Sequence, residues 1–164
     1  MSRSPVAHID DIAMTDTAHG ETFGAKLGRI GPQVGMDQLG CMLTVVPPGK
    51  RAFPRHNHHV LEEAIVILDG EGEYRLGEKT YPVRAGHVMA APAGGIERAH
   101  QLVNTGSSDL KYLCFSTMQG VDIVEYPDSG KVAAVRWSDA SGDAPDFMHR
   151  AYRGEPVDYW EGEE

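Results

Sequence analysis

Closely spaced turn signals are what most restrict the fold open to this chain. Pro47-Pro48-Gly49, Asp69-Gly70-Glu71-Gly72, Gly77-Glu78-Lys79 and Ala85-Gly86 each close a short run rich in aliphatic, β-branched or aromatic side chains. In the first run Leu39, Cys41, Leu43 and Val45 alternate with Gly40, Met42, Thr44 and Val46, the period of a strand. Ala64-Ile65-Val66-Ile67-Leu68 is apolar on both faces, and Tyr74-Arg75-Leu76 and Thr80-Tyr81-Pro82-Val83 are set to pair around their turn. Val88–Ala91, Gln101–Asn104 and Leu110–Phe115 supply further strands. Many short strands with little helical period predict an all-β barrel or jelly roll.

The pattern divides the chain into three parts. Residues 1–35 mix Asp, Thr, Gly and His without sustained periodicity and read as an N-terminal arm with room for a strand or two. Residues 36–118 carry the barrel. Residues 119–164, polar and dotted with Trp137, Tyr152, Tyr159 and Trp160, read as a C-terminal extension packing on the barrel or on a neighbouring subunit; a homodimer is expected because small barrels cover their edges by pairing.

Charge and cysteine content narrow the function classes. Fifteen basic against 24 acidic residues give a net charge of −9, and no basic stripe exists to release counterions from phosphates, so neither a nucleic acid nor an anionic membrane is an expected partner. Cys41 and Cys114 are too few for a secreted disulfide scaffold and read as reduced packing residues. The first residues lack the apolar core of a signal peptide, and a cytoplasmic location is expected.

The chemistry concentrates in Arg55-His56-Asn57-His58-His59-Val60-Leu61-Glu62-Glu63. In a strand, residues two apart face one way, so His56 and His58 present both imidazoles to one side while His59 points outward. A carboxylate at Glu63 or Glu62 follows after a short connection, and His100 opens a later strand from which it can close the set. Three imidazoles and a carboxylate suit one divalent transition-metal ion, Mn, Fe, Co, Ni, Cu or Zn, and are poor for Ca or Mg.

Gly49, His56-Asn57-His58, Glu63 and Gly70 resemble the first cupin motif, and Gly86, Pro92, Gly94, His100 and Asn104 resemble the second. The chain is thereby similar to small single-domain bacterial cupins, including stand-alone ones that carry a sugar-phosphate-isomerase label resting on superfamily analogy. The resemblance implies a cupin double-stranded β-helix, a jelly-roll barrel, with His56, His58, Glu63 and His100 as metal ligands; six residues between Glu63 and Gly70 favour Glu63 over Glu62. Two departures stand out: the spacer after Gly49 is one residue longer than usual, and residues 95–99 lengthen the loop before His100, beside the expected metal mouth.

Within such a barrel Phe53, Tyr74, Arg98 and Gln101 are the candidates to line a substrate pocket, and Arg51 and Arg55 lie close enough in sequence to take a substrate carboxylate. Oxalate-degrading cupins place an arginine three residues before the first ligand; here that residue is Phe53, which argues against oxalate chemistry. The superfamily spans isomerases, decarboxylases, dioxygenases and non-catalytic binders, so fold does not select a reaction. The expectation is a metal-dependent enzyme acting on a small oxygenated molecule, a sugar derivative or a hydroxy or keto acid, that coordinates open metal positions. The alternative is a non-catalytic metal- or small-ligand-binding module.

Overall fold

A computed structural model describes residues 4–118, 120–137 and 145–163; the rest of the predicted arm and extension lies outside the described residues. Thirteen strands run through them: β1 (Thr15–His19), β2 (Phe23–Arg29), β3 (Leu39–Val46), β4 (Asn57–His58), β5 (Glu63–Asp69), β6 (Glu71–Leu76), β7 (Lys79–Arg84), β8 (Val88–Ala91), β9 (His100–Val103), β10 (Leu110–Thr117), β11 (Val121–Tyr126), β12 (Lys131–Arg136) and β13 (Phe147–Tyr152). A four-residue helix, Gly31–Val34, and two 3₁₀ turns, Ile9–Asp11 and Ile96–Arg98, are the described helices, and no helix among the described residues is long and apolar enough to cross a membrane.

The all-β expectation holds. The strands form a six-stranded sheet in the order β1-β2-β3-β10-β5-β8, a three-stranded sheet β7-β6-β9, and a four-stranded sheet β13-β12-β11-β4. Every named strand pair is antiparallel. Strands of the first 35 residues extend the largest sheet through β2 on β3. Strands after residue 119 build a sheet of their own around β4.

Period-two alternation decides which side chains meet. Leu110 and Tyr112 of β10 and Ile65 and Ile67 of β5 face inward onto Tyr74, Val83 and Leu102 of the three-stranded sheet, forming the main core. On the opposite face Leu113, Phe115 and Leu68 meet Ile12, Ile30, Cys41 and Leu43. That second cluster explains why β5 is apolar on both sides: the N-terminal segment covers the face that an open barrel would leave in water. Burying a side chain as fully as Ile67 or Leu110 is worth roughly 1.5–3 kcal/mol.

Two motif residues turn out to hold the frame. Gly70 sits at φ +83°, and a Cβ there would lie 2.4 Å from the Asp109 carbonyl oxygen, so both the conformation and the space require glycine. Asn104, fully buried, donates to the carbonyls of Val46 at 2.7 Å and Ser108 at 2.8 Å and accepts from the Gly106 amide at 2.9 Å. It locks the loop after β9 to the end of β3.

Candidate metal centre

His56 and His100 sit opposite each other in an isolated antiparallel bridge, with the His56 amide donating to the His100 carbonyl at 3.1 Å and the reverse bond at 2.7 Å. Directly opposed residues carry their side chains on one face, which is why a histidine 44 positions away reaches the HxH segment. Their ring centroids are 4.6 Å apart, and His58 lies 5.0 Å from His56 and 6.1 Å from His100. Glu63, the first residue of β5, enters from the largest sheet.

The ligand atoms of His56, His58 and Glu63 all lie within 4.8 Å of one another, and these residues form a group that could hold a metal ion. His100 stands beside that group: its Nε2 is 3.0 Å from Glu63 Oε2, so an Nε2–H donates to the carboxylate, and its Nδ1 is 3.4 Å from the Arg98 carbonyl. Glu62, the other carboxylate weighed from sequence, is exposed outside this cluster.

Each ring of the HxH pair is oriented from behind. His56 Nδ1 lies 2.8 Å from the Pro54 carbonyl, which requires Nδ1–H and leaves Nε2 with its lone pair. His58 Nδ1 lies 2.5 Å from Asp122 Oδ2, while its Nε2 is buried without a hydrogen-bond partner and 3.8 Å from Glu63 Oε2. A buried polar nitrogen left unpaired is costly, and a histidine whose far nitrogen is tied to a carboxylate is the usual arrangement behind a metal-binding nitrogen. The donor set and the orphaned Nε2 therefore fit a borderline transition-metal ion.

The ionisation states agree with that chemistry. Burial lowers His56 to about 4, helped by electrostatic repulsion from the adjacent His100 ring, so its own ring is neutral at physiological pH. Burial alone would lower His58 too, but the Asp122 hydrogen bond and the charges of Glu63 and Asp122 outweigh it and raise the group. For Glu63, burial pushes the carboxyl up; the His100 hydrogen bond and the electrostatic pull of the surrounding imidazoles, His58 first, outweigh it and hold it at about 2. The centre thus offers an ionised carboxylate.

Three cavities reach these residues, and two of them are lined by both HxH imidazoles. An inner one of about 210 Å³ lies under His56, His58, Glu63 and His100 and is walled by Phe53, Gln101, Tyr112 and Cys114. An outer one of about 370 Å³ is roofed by the extension, with Tyr126, Lys131, Trp137 and Arg150 facing Phe53, His56 and His58. Of the residues expected to line a pocket, Phe53 borders both cavities, and Gln101 borders the inner one, pinned by donation to the Phe53 carbonyl at 3.0 Å and acceptance from Arg75 at 3.0 Å. Tyr74 is packed in the core behind His100, its hydroxyl on the Ala90 carbonyl at 2.9 Å, and lines neither cavity. Arg98 also lines neither: the 3₁₀ turn at residues 96–98 points its side chain to solvent.

Sequence reasoning missed Asp122, Tyr126, Lys131 and Arg150, all from residues set apart as an extension. Asp122 carried a readable signal, since in Val121-Asp122-Ile123-Val124 the acid shares its face with buried Val124, while Val121 and Ile123 are exposed. An acidic residue on the inward face of a strand needs a partner. Cys114 was expected to be simple packing; its thiol lies 3.8 Å from Glu63 Oε1, and burial beside that carboxylate raises it far above the ordinary thiol value.

Comparison with known proteins places the barrel. The "Cupin domain" family model matches residues 42–116. An oxalate-binding protein of Thermotoga maritima is 35% identical over 68 residues, 42% of this chain; the match spans about half, 53%, of that protein's length. Among solved structures, a sugar phosphate isomerase from a cupin superfamily, of Silicibacter pomeroyi, superposes with a TM-score of 0.76 at 20% identity, covering 94% of this chain and 98% of that one. A predicted oxalate decarboxylase from Thermotoga maritima superposes with a TM-score of 0.58 at 22% identity, covering 68% and 97%. Identities this low carry the fold alone, a cupin-type double-stranded β-helix, and residues 42–116, which hold both motifs, are similar to the cupin domain.

Proposed function

We propose that this chain is a metal-dependent cupin enzyme acting on a small oxygenated, anionic substrate, a sugar derivative or a hydroxy or keto acid, bound in the outer cavity with its oxygens at the metal. The observation that carries the reading is His58: a buried Nε2 without a partner, aimed at Glu63, on a ring fixed from behind by Asp122. His56, His58 and Glu63 would hold the ion, and His100 would join them by giving up Glu63 and turning an Nδ1–H toward the Arg98 carbonyl. The bound ion supplies Lewis acidity toward a substrate carbonyl or hydroxyl oxygen.

The chain's own residues shape the rest. Lys131 Nζ and the Arg150 guanidinium lie 5.6 and 5.5 Å from the Tyr126 ring, and that ring stacks at 6.2 Å on His56. An anionic group resting near Tyr126 therefore meets two cations a short molecule's length from the metal-binding imidazoles, which orients its other end inward. Trp137, Val135 and Val124 exclude water along the remaining wall. Phe53, in the place where the resemblance puts an arginine in oxalate-degrading members, leaves the near side apolar and favours a substrate larger than oxalate. The names of the relatives, isomerase and oxalate binder or decarboxylase, are consistent with an oxygen-rich acid but do not choose among reactions.

The test begins with elemental analysis of purified protein, followed by turnover and oxygen-uptake assays of the metal-loaded form against hydroxy acids, keto acids and sugar phosphates. His58→Ala is expected to lose at least about nine-tenths of the bound metal, whereas His59→Ala, whose ring turns away to Glu125 at 2.9 Å, keeps it. Full metal content in His58→Ala would end the proposal, and tight binding with no turnover across the panel would make the protein a binding module instead.

A further inference from the structure

A further cavity, of about 430 Å³, opens between the β1–β2 hairpin, residues 51–55 and the β11–β12 turn. Among its charged lining residues, cations outnumber anions. Arg51, Arg55 and Lys131 face it, with Asp128 as its one carboxylate; Arg55 pairs with that carboxylate at 3.4 Å and with exposed Glu78 at 3.9 Å, which leaves Arg51 and Lys131, among the described residues, as the cations without a carboxylate in the cavity. Arg51 has no carboxylate within salt-bridge distance among the described residues, and the Nε atoms of both arginines are buried without a hydrogen-bond partner.

Arg51 is also held in place rather than loosely solvated. Its amide donates to the Thr22 carbonyl at 3.3 Å, its carbonyl accepts from Gly24 at 3.1 Å, and its guanidinium lies 5.9 Å from the Phe23 ring. Arg55 is fixed by donation to the Gly77 carbonyl at 2.8 Å. Burying guanidinium N–H groups unpaired is unfavourable, and a guanidinium's planar fork matches the paired oxygens of a phosphate or carboxylate. In a chain of net charge −9, long-range attraction does not gather anions here, so any that bind do so through this local cluster.

We propose that the Arg51–Arg55–Lys131 cavity is a second binding site, for the phosphate or carboxylate group of a small molecule. It is separate from the metal centre yet next to it: Gln101 and Pro54 line this cavity and the inner metal cavity, and Lys131 lines this one and the outer. The oxyanion belongs either to an independent ligand or to a substrate long enough to reach both sites.

The site is tested on metal-free full-length protein, so that its failure and that of the metal reading are separable. Inorganic phosphate is titrated by calorimetry into wild type, Arg51→Met and, as a control for charge, Arg84→Met, whose side chain is exposed on β7. The expected result is saturable binding, weakened at least about tenfold in Arg51→Met and unchanged in Arg84→Met. Should Arg51→Met misfold, phenylglyoxal labelling of wild type decides the matter instead: phosphate slows modification of Arg51, mapped by mass spectrometry, at least about fivefold, and chloride at equal ionic strength does not. Absence of phosphate binding, equal binding by Arg51→Met, or labelling that phosphate leaves unchanged would each overturn the site. With metal loaded, 3-phosphoglycerate binding far more tightly than glycerate, with the gain lost in Arg51→Met, assigns the oxyanion to a bridging substrate. Equal affinities for the two, with phosphate still held at Arg51, assign it to an independent ligand.

Discussion

At the scale of single residues, the HxH pair is a problem of orientation before it is one of affinity. An imidazole can offer a metal either nitrogen, and the tautomer is chosen by what the other nitrogen donates to. Pro54 makes that choice for His56 through a backbone carbonyl, and Asp122 makes it for His58 through a carboxylate that also accepts from the Val60 amide at 2.9 Å. Asp122 is almost wholly buried, so its charge is screened little. Asp122→Asn keeps the size of the side chain and removes the charge, and is expected to lower metal affinity about 10- to 100-fold while leaving the folded secondary structure intact. A competition titration against a chelator of known affinity measures this; an unchanged affinity would show that the Asp122 contact serves only the fold. The histidines were legible because HxH spacing is local and its geometry follows from the period of a strand. Asp122 was not, because 64 residues separate it from His58 and only the pairing of β4 with β11 joins them.

At the scale of elements, β4 is the hinge of the architecture. It is two residues long, yet it carries one candidate ligand, stands beside another, and pairs with β11, Val124 opposite His58 and Glu125 opposite Asn57. The docking is reinforced by Glu125, whose carboxylate accepts from His59 at 2.9 Å and from the buried Asn57 amide at 3.3 Å and pairs with Arg153. Burial raises this carboxyl, but the hydrogen bonds from His59 and Asn57 and the Arg153 charge outweigh it and hold the group below the ordinary value of 4.5. A carboxyl depressed in the folded state stabilises it above the unfolded value, and that contribution disappears as pH falls through the folded value. Glu125→Gln is therefore expected to cost about 1–3 kcal/mol near pH 7, and urea titrations should show the gap between variant and wild type narrowing progressively as pH falls below 4.5. A gap constant with pH would mean that packing rather than charge sets the cost. The strands from Leu39 to Phe115 were plain in the sequence because turns bracket them and their faces alternate. The sheet after residue 119 was not, since β13 is exposed along most of its length and so lacks the buried stripe by which a strand is recognised.

At the scale of the whole molecule, the candidate ligands come from different parts of the fold. Glu63 belongs to the six-stranded sheet, His100 to the three-stranded sheet, and His58 to the four-stranded sheet, with His56 on the approach to β4. An ion shared among them would tie all three sheets together, and because those positions converge only in the native state, its binding energy adds to folding stability. At a free metal concentration near 100 times the dissociation constant the gain is about 2.7 kcal/mol, which for a chain of this size raises the melting temperature by roughly 5–10 °C. The gain depends on pH with a defined sign. His56, lowered to about 4, is already neutral through the accessible range, so His58, raised above its ordinary 6.5, is the group at which protons compete with metal. A histidine raised in the folded state also stabilises the metal-free protein below pH 6.5, a contribution lost as pH climbs through the folded value. Both effects narrow the difference between loaded and metal-free protein as the solution is acidified. Paired thermal melts with and without added zinc should therefore diverge most well above pH 6.5 and converge as the solution is acidified below it, and in His58→Ala the two curves should nearly coincide at every pH. A metal-induced shift that survives in that variant would place the ion somewhere other than at the junction of the three sheets.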